Sequence, residues 1–142
     1  MTKRSFRINL IRELVRGGQI KKQDELVDLL RKQGEEVTQA TVSRDIAEMK
    51  LQKDAETGCY VLPEDAFVRR MVKELVSEVV PAQNLVVVMS SSGAAQGVAA
   101  ALDGADIEGI IGSIAGDDTI MLVVADNEAA QKLAAVIDSF RN

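Results

Sequence analysis

The second half of the chain carries acidic side chains without nearby basic partners. From Glu74 to Gln131, both included, the sequence has nine acidic residues but no lysine and no arginine. Two of the acids, Asp117 and Asp118, are adjacent and follow Gly116 between two apolar segments, which could partly bury them. Adjacent carboxylates repel each other where water is excluded, so a bound cation would stabilise the pair. A guanidinium group suits this role because it forms two parallel hydrogen bonds with a carboxylate.

Three interpretations of the Asp117–Asp118 pair remain open from the residues alone. The pair could be simple turn chemistry, since glycine and aspartate are common in turns. It could bind a divalent cation such as Mg²⁺ through its oxygen atoms, or it could bind a cationic ligand. The chain has no histidine and a single cysteine, Cys59, so neither a zinc site nor a Cys/His nucleophile is expected. Metal binding is the least favoured of the three interpretations of the pair, and we predict no catalytic residue, no metal site and no cofactor.

The segment Gly93–Gly97 follows an apolar run and begins an alanine-rich helix. The free N–H groups at a helix N-terminus suit an anion, such as the carboxylate of an amino acid. Gln96 lies at this end of the helix, and Asp103 lies near the other end. Close packing of small residues would explain the glycines equally well, and an acid such as Asp103 is commonly a cap or simply solvated.

In the first half of the chain, the predicted third helix could enter the major groove of DNA. Thr38 is a suitable N-cap, and the side of the helix that carries Val42, Ile46 and Met49 is predicted to be buried. Small side chains on the other side would let the helix approach the base edges closely. The opposite side and its flanks consist of Gln39, Ala40, Thr41, Ser43, Arg44, Ala47 and Glu48.

Four of these residues have side chains that commonly contact DNA. Arg44 can donate two hydrogen bonds to guanine, and Gln39 can pair with adenine. Thr41 and Ser43 can contact phosphates near the N-terminus of the helix. A small helical bundle with an ordinary solvated face would show the same spacing, so the pattern alone leaves both interpretations open.

The surrounding elements predict a winged helix-turn-helix domain over residues 1–63. Three helices, the first capped by Ser5, are followed by a hairpin that turns at Thr57-Gly58 and ends at Pro63. The first helix carries five basic residues, which favour contact with DNA phosphates over a merely solvated helix face. These residues are Lys3, Arg4, Arg7, Arg12 and Arg16.

Residues 64–142 are predicted to form an α/β domain. A helix from about Asp65 to Val80, ended by Pro81, is expected to precede the core of this domain. A strand, a helix, two strands and a last helix follow at about residues 84–89, 93–103, 109–115, 119–125 and 127–140. The two adjacent strands are joined by a tight turn and must be antiparallel. The predicted fold class is therefore α/β with two domains, the second of order β-α-β-β-α with a mainly antiparallel sheet.

Charge and composition agree with two domains that have different partners. Of the net charge of −5, residues 1–70 contribute +2 and residues 71–142 contribute −7. Halves of about 70 residues are marginally stable alone, which favours oligomerisation. No apolar run approaches the length of a membrane helix, and the N-terminus lacks the apolar core of a signal peptide. We therefore expect a cytoplasmic protein without a membrane partner.

Both halves together resemble the bacterial arginine repressor family, over nearly the whole length of the chain and in the same order. Many members of that family have proline where this chain has Ser92 and threonine where it has Ser113. These two differences bear on ligand affinity and leave the acidic residues of the family's site in place. The resemblance rests on residues 23–27 (QDELV), 37–46 (VTQATVSRDI), 92–96 (SGAAQ), 102–103 (LD) and 109–120 (GIIGSIAGDDTI).

The resemblance implies a ligand and an assembly that the spacing of residues does not show. It implies a repressor of arginine metabolism genes that binds palindromic, double-stranded operator DNA with L-arginine as corepressor. It also implies a homo-oligomer, trimer to hexamer, with arginine bound between the trimers. Carried over by position, the arginine contacts would be Gln96, Asp103, Asp117 and Asp118, and the DNA contacts would be Ser43 and Arg44, with Gln39 and Thr41 near the DNA.

Other functions remain open at this point. A winged-helix regulator of the same family could sense another ligand or act through a paralogous partner. A small metal-dependent enzyme could use Asp117 and Asp118, although the absence of histidine argues against it. A pure oligomerisation module would leave the basic first helix unexplained. We expect a DNA-binding regulator and not an enzyme.

Overall fold

The computed structural model describes residues 2–142, and these form two compact units. One unit extends through Ala66 and the other begins at Phe67. Each unit has its own cluster of buried apolar side chains, so each half of the chain supplies the core on which its fold depends. No helix within residues 2–142 is both long enough and sufficiently apolar to span a membrane.

The first unit contains three helices and a two-stranded hairpin. The helices are α1 (Lys3–Arg16), α2 (Gln23–Lys32) and α3 (Gln39–Glu48), and the strands are β1 (Gln52–Lys53) and β2 (Tyr60–Val61). β1 pairs antiparallel with β2 and forms the predicted wing. The prediction of a winged helix-turn-helix is therefore confirmed.

Two helices begin at threonine caps. The side chain of Thr2 caps α1 by accepting a hydrogen bond from the backbone N–H of Ser5 at 3.0 Å. The prediction that Ser5 is the cap was wrong, because Ser5 already lies within the helix while Thr2 has the extended backbone that a cap requires. Thr38 caps α3 as predicted, and its hydroxyl accepts from the backbone N–H of Thr41 at 3.2 Å.

The core of the first unit lies between the three helices and the wing. On α3, Val42 is fully buried, while Ile46 and Met49 pack partly against the same cluster. The predicted apolar side of α3 therefore faces the core, which leaves its other side to solvent. The fully buried side chains of this core are Ile11, Leu26, Leu30, Val42 and Leu62.

The part of the chain that follows the wing differs from the prediction in its first elements. Helix α4 (Pro63–Leu75) is followed directly by strand β3 (Val76–Ala82), so the prediction of a helix through Val80 was wrong beyond Leu75. The valines of this segment suit a strand, and β3 pairs antiparallel with β4 (Leu85–Ser90). Pro81 does not end a helix but lies within β3, where it is tolerated because β3 is at the edge of the sheet.

After α4, the order of elements is β-β-α-β-β-α, with one strand more than the predicted β-α-β-β-α. β4 is followed by α5 (Ala95–Gly104), β5 (Gly112–Ala115), β6 (Thr119–Val123) and α6 (Asn127–Ser139). The four strands form one antiparallel sheet in the order β3-β4-β6-β5. The predicted α/β class with an antiparallel sheet is confirmed.

One face of this sheet forms the core of the second unit together with α5 and α6. Side chains alternate between the two faces along each strand. On the face away from the core, Met89, Ile114 and Met121 are exposed. The core includes Val86 and Val88 of β4, Ile120 and Leu122 of β6, Val98 and Leu102 of α5, and Leu133 and Ile137 of α6.

Candidate DNA-binding and ligand-binding sites

Helix α3 presents three of its four predicted DNA contacts on one exposed surface. Gln39, Ser43 and Arg44 are exposed. The small side chains of Ala40 and Ala47 are exposed beside them. Thr41 differs, because it is partly buried and its hydroxyl oxygen lies 3.1 Å from that of Thr38, the N-cap. The exposed side of α3 therefore combines an amide, a hydroxyl and a guanidinium group, which can contact base edges and phosphates.

The side chain of Gln39 is held by two residues of α2. Gln23 Nε2 donates to Gln39 Oε1 at 2.8 Å and to the backbone oxygen of Gln39 at 3.2 Å. Gln39 Nε2 donates in turn to Asp24 Oδ1. The amide at the N-terminal end of α3 is thus ordered by contacts between the two helices, although it lies on the surface.

Asp45, which was not predicted from the sequence, joins α3 to α1. Arg7 Nε donates to Asp45 Oδ2 at 2.5 Å, and Arg7 Nη2 donates to Asp45 Oδ1 at 3.1 Å. The Asp45 side chain is only 4% exposed, and its hydrogen bonds raise the pKa of Arg7 above the ordinary value. The position of Asp45 could have revealed this pair from the sequence. Asp45 follows Val42 by three residues and so lies on the buried side of α3, where an acid requires a partner.

The other arginines of α1 also form ion pairs within the first unit. These pairs connect Arg4 with Glu48, Arg12 with Glu64, and Arg16 with Asp65. They link α1 to α3 and to the first turn of α4, so the positive charges serve contacts inside the domain. Contact of these arginines with DNA phosphates stays a prediction, because their side chains are also 64%, 38% and 35% exposed.

Asp45→Asn is expected to lower the free energy of unfolding of the first unit by about 1–3 kcal/mol, because the amide leaves the charge of Arg7 unbalanced. The loss stays below that of a fully buried pair because Arg7 remains in partial contact with water. Urea denaturation followed by circular dichroism measures the change. The control Glu48→Gln removes the exposed pair with Arg4 and should lower the free energy of unfolding by less than about 1 kcal/mol. Equal losses in both variants would contradict a special role for Asp45.

In the second unit, the turn that contains Asp117 and Asp118 is held against two other elements. The backbone oxygen of Asp118 accepts from the N–H of Ser90 at 2.8 Å, which continues the pairing of β4 with β6. The backbone oxygen of Asp117 accepts from the N–H of Ala95, the first residue of α5, at 3.2 Å. The turn between β5 and β6 therefore lies beside the N-terminus of α5.

This contact brings three of the four predicted ligand residues to one end of the sheet. Gln96 follows Ala95 in the first turn of α5, and so it lies next to the turn of Asp117 and Asp118. Asp103 is on the same side of α5 as Gln96, but two turns further along, or about 10 Å. A single chain therefore does not place Asp103 beside the carboxylate pair.

The side chains of all four predicted ligand residues are exposed in the single chain. The expectation that neighbouring apolar residues partly bury Asp117 and Asp118 is therefore wrong for one chain alone. Asp118 Oδ1 accepts a hydrogen bond from the hydroxyl of Thr119 at 3.0 Å. In the described part of the chain, residues 2–142, no group of three or more acidic or sulfur ligands could hold a metal ion. The carboxylate pair can instead accept hydrogen bonds from a cationic group.

Comparison with known protein families matches both halves of the chain. Residues 2–68 match the family model described as arginine repressor, DNA binding domain. Residues 72–139 match the family model described as arginine repressor, C-terminal domain. The two matches occur in the same order as the resemblance found in the sequence.

Individual proteins named arginine repressor are similar along most of their length. The one from Caldicellulosiruptor saccharolyticus is 43% identical over 139 residues, which cover 92% of this chain and 91% of the relative. The one from Koribacter versatilis is 43% identical over 134 residues, covering 89% and 90%. The one from Thermus thermophilus is 43% identical over 143 residues, covering 94% and 87%. The chain therefore belongs to the arginine repressor family, a family of DNA-binding transcriptional repressors and not of enzymes.

Proposed function

We propose that this chain represses genes of arginine metabolism by binding palindromic operator DNA, with L-arginine as corepressor. Residues 1–63 bind the DNA, and residues 64–142 bind arginine and form the oligomer. The proposal depends most on the hydrogen bond between Ala95 and Asp117, which holds two exposed carboxylates beside the N-terminus of α5. Operator binding requires the compartment that holds the genome, so the protein acts in the cytoplasm.

The proposed arginine site combines groups of opposite character at one end of the sheet. The carboxylates of Asp117 and Asp118 can accept paired hydrogen bonds from the guanidinium group. The first turn of α5, which includes the amide of Gln96, can donate to the carboxylate of the amino acid. Asp103 lies two turns away on α5, so the site is completed by a second copy of the chain that brings its own acidic side chains.

An apolar row across the sheet supports the proposed assembly. Val80 of β3, Val87 of β4, Met121 of β6 and Ile114 of β5 are opposite one another in the register of the four strands. Ile114 is 65% exposed and Met121 is 42% exposed. Contiguous apolar surface of this kind is typical of an interaction surface. In the proposal, a homo-oligomer, trimer to hexamer, buries this row.

Arginine binding and assembly are coupled in this proposal. Empty sites bring acidic side chains of neighbouring subunits together, and their repulsion opposes association. Bound guanidinium groups remove that repulsion, so arginine stabilises the hexamer by binding to it preferentially. The hexamer in turn sets the spacing of the DNA-binding domains, which couples arginine binding to operator affinity.

Arg44→Ala is expected to weaken operator binding about 5- to 150-fold and to relax the preference at one base pair, because a two-pronged contact to guanine contributes about 1–3 kcal/mol. Ser43→Ala should weaken binding to all sequences nearly equally, since the hydroxyl contacts phosphate. Fluorescence anisotropy with operator duplexes and single-base variants, at one salt concentration, separates the two effects. An unchanged base preference in Arg44→Ala would exclude the proposed contact.

The direct test of the function is calorimetric titration of the purified chain with L-arginine, with sedimentation of the same sample. Saturable binding and a shift toward the hexamer are expected. L-Ornithine lacks the guanidinium group and L-citrulline lacks its charge, so both should bind much more weakly than arginine. Equal binding of either would contradict the role of the carboxylate pair. No binding of any of the three would favour a regulator of this family with another signal or a paralogous partner subunit.

A further inference from the structure

The contacts of Gln39 determine the direction in which its side-chain amide points. A carboxylate only accepts hydrogen bonds, so the NH₂ group of Gln39 must be the end that faces Asp24. The amide oxygen then faces Gln23, whose Nε2 donates to it at 2.8 Å. Without the carboxylate the two ends of the amide could exchange places, because Gln23 can present either a donor or an acceptor.

The oriented amide retains one donor and one acceptor position for a ligand. Asp24 takes one of the two N–H groups of Gln39, and Gln23 takes one of the two acceptor positions on the oxygen. A donor next to an acceptor matches adenine in the major groove, where N7 accepts and the N6 amino group donates. Guanine presents two acceptors, N7 and O6, so the amide oxygen would meet another acceptor there.

We propose that Asp24 and Gln23 are positioning residues that set Gln39 to select adenine at one position of each operator half-site. The inference rests on the proposed function, in which α3 enters the major groove of the operator. Neither residue of α2 has to touch a base, because both act through the amide of Gln39. Sequence preference at this position is thus decided on α2, although the base is contacted from α3.

The charge of Asp24 supports a role in specificity. Asp24 is exposed in the first turn of α2 and contacts the N-terminal end of α3, so its carboxylate lies where it repels the phosphates of a bound duplex. The carboxylate of Asp24 therefore weakens binding to every DNA sequence, but it orders the side chain of Gln39 that contacts a base. Such a group improves discrimination between sequences at the expense of affinity. Glu25 is in the same turn, but its carboxylate accepts from the backbone N–H of Lys21 at 3.2 Å and serves the start of α2.

The test compares Asp24→Asn with Glu25→Gln in the full chain with L-arginine present. Both substitutions remove one negative charge from the first turn of α2 and preserve side-chain shape, so effects of the helix dipole and of phosphate repulsion are shared. Only Asp24→Asn allows the side-chain amide of Gln39 to rotate so that its oxygen and its NH₂ group exchange places. Each protein selects sequences from a pool of randomised duplexes, and Kd is then measured for the selected duplex and for single A·T to G·C changes.

The parent chain should prefer adenine at one position per half-site, and Gln39→Ala should remove that preference. In Asp24→Asn, the ratio of the Kd for the G·C duplex to the Kd for the A·T duplex at this position should fall about tenfold. The same variant should bind random-sequence duplex at least as tightly as the parent. Glu25→Gln should keep the adenine preference of the parent. The inference is overturned by a retained preference in Asp24→Asn, by an equal loss in Glu25→Gln, or by an adenine preference that does not depend on Gln39.

Failure of the inference can be distinguished from failure of the proposed function. If the parent chain selects no sequence from the pool, both are wrong. If the parent selects an operator whose preference is relaxed by Arg44→Ala but unchanged by Asp24→Asn, operator recognition by α3 stands and only the positioning role of α2 is wrong.

Discussion

Asp118→Asn is expected to weaken L-arginine binding at least about 30-fold and to abolish arginine-dependent operator binding, because losing one partner of a desolvated charge pair costs about 2–5 kcal/mol. The fold should be retained. The pairing of β4 with β6 uses the backbone oxygen of Asp118, which accepts from the N–H of Ser90. The hydroxyl of Thr119 can donate to an amide oxygen as it does to the carboxylate. Calorimetry with L-arginine measures the affinity, and anisotropy with operator DNA measures the response.

Glu128→Gln is the matched control for this experiment. Glu128 is 80% exposed in the first turn of α6, which follows the end of β6 opposite to the Asp118 turn. The substitution removes the same charge from a pair with Lys132 that is fully at the surface, so arginine affinity should stay within about twofold of the parent. Arginine-dependent operator binding that survives in Asp118→Asn would show that the ligand site lies elsewhere.

Ile114→Asp is expected to weaken self-association at least about a hundredfold, because an interface would remove the new carboxylate from water without a partner, at a cost of several kcal/mol. Ile114 lies in the apolar row of the sheet and is 65% exposed in one chain. The isolated subunit should therefore tolerate the charge and remain folded. Sedimentation over a range of concentrations, with and without L-arginine, should show trimer and hexamer for the parent and monomer for the variant.

Val136→Asp provides the comparison for Ile114→Asp. Val136 is 44% exposed on α6, outside the apolar row, and its substitution should leave the assembly unchanged. Operator affinity should fall only in Ile114→Asp, because a monomer cannot engage two half-sites at the same time. Normal assembly of Ile114→Asp would mean that this face of the sheet is not the subunit interface.

Helix α3 and the acidic turn show what could be predicted from local sequence. Thr38 was predicted as the cap and Val42 as buried because capping and helical periodicity depend on residues within a turn or two. The turn at Asp117 and Asp118 was predicted from glycine and aspartate between two apolar runs. Both predictions were confirmed, since the physical causes lie within a few residues of each feature.

Residues 76–82 show where local pattern is not sufficient. Leu75 and Val79 continue the helical spacing of the preceding segment, which led to the prediction of a helix through Val80. Residues 76–82 instead form β3, because all of them except Ser77 pair with residues of β4 along the edge of the sheet. Val76 and Val79 also pack against the core. Pairing energy of this kind depends on a second strand, and so it overrides the propensity of the segment itself.

The residue types of both candidate sites, the two-domain class and the family were determined by the sequence alone. Tertiary contacts decided how those residues are used: Arg7 meets Asp45 across 38 positions of sequence, Asp24 orients Gln39, and the Asp117 turn meets the first turn of α5. Helical and strand periodicity specify which side of an element is apolar. They do not specify which distant polar group a side chain will meet, because the energy of a hydrogen bond depends on the positions of both partners.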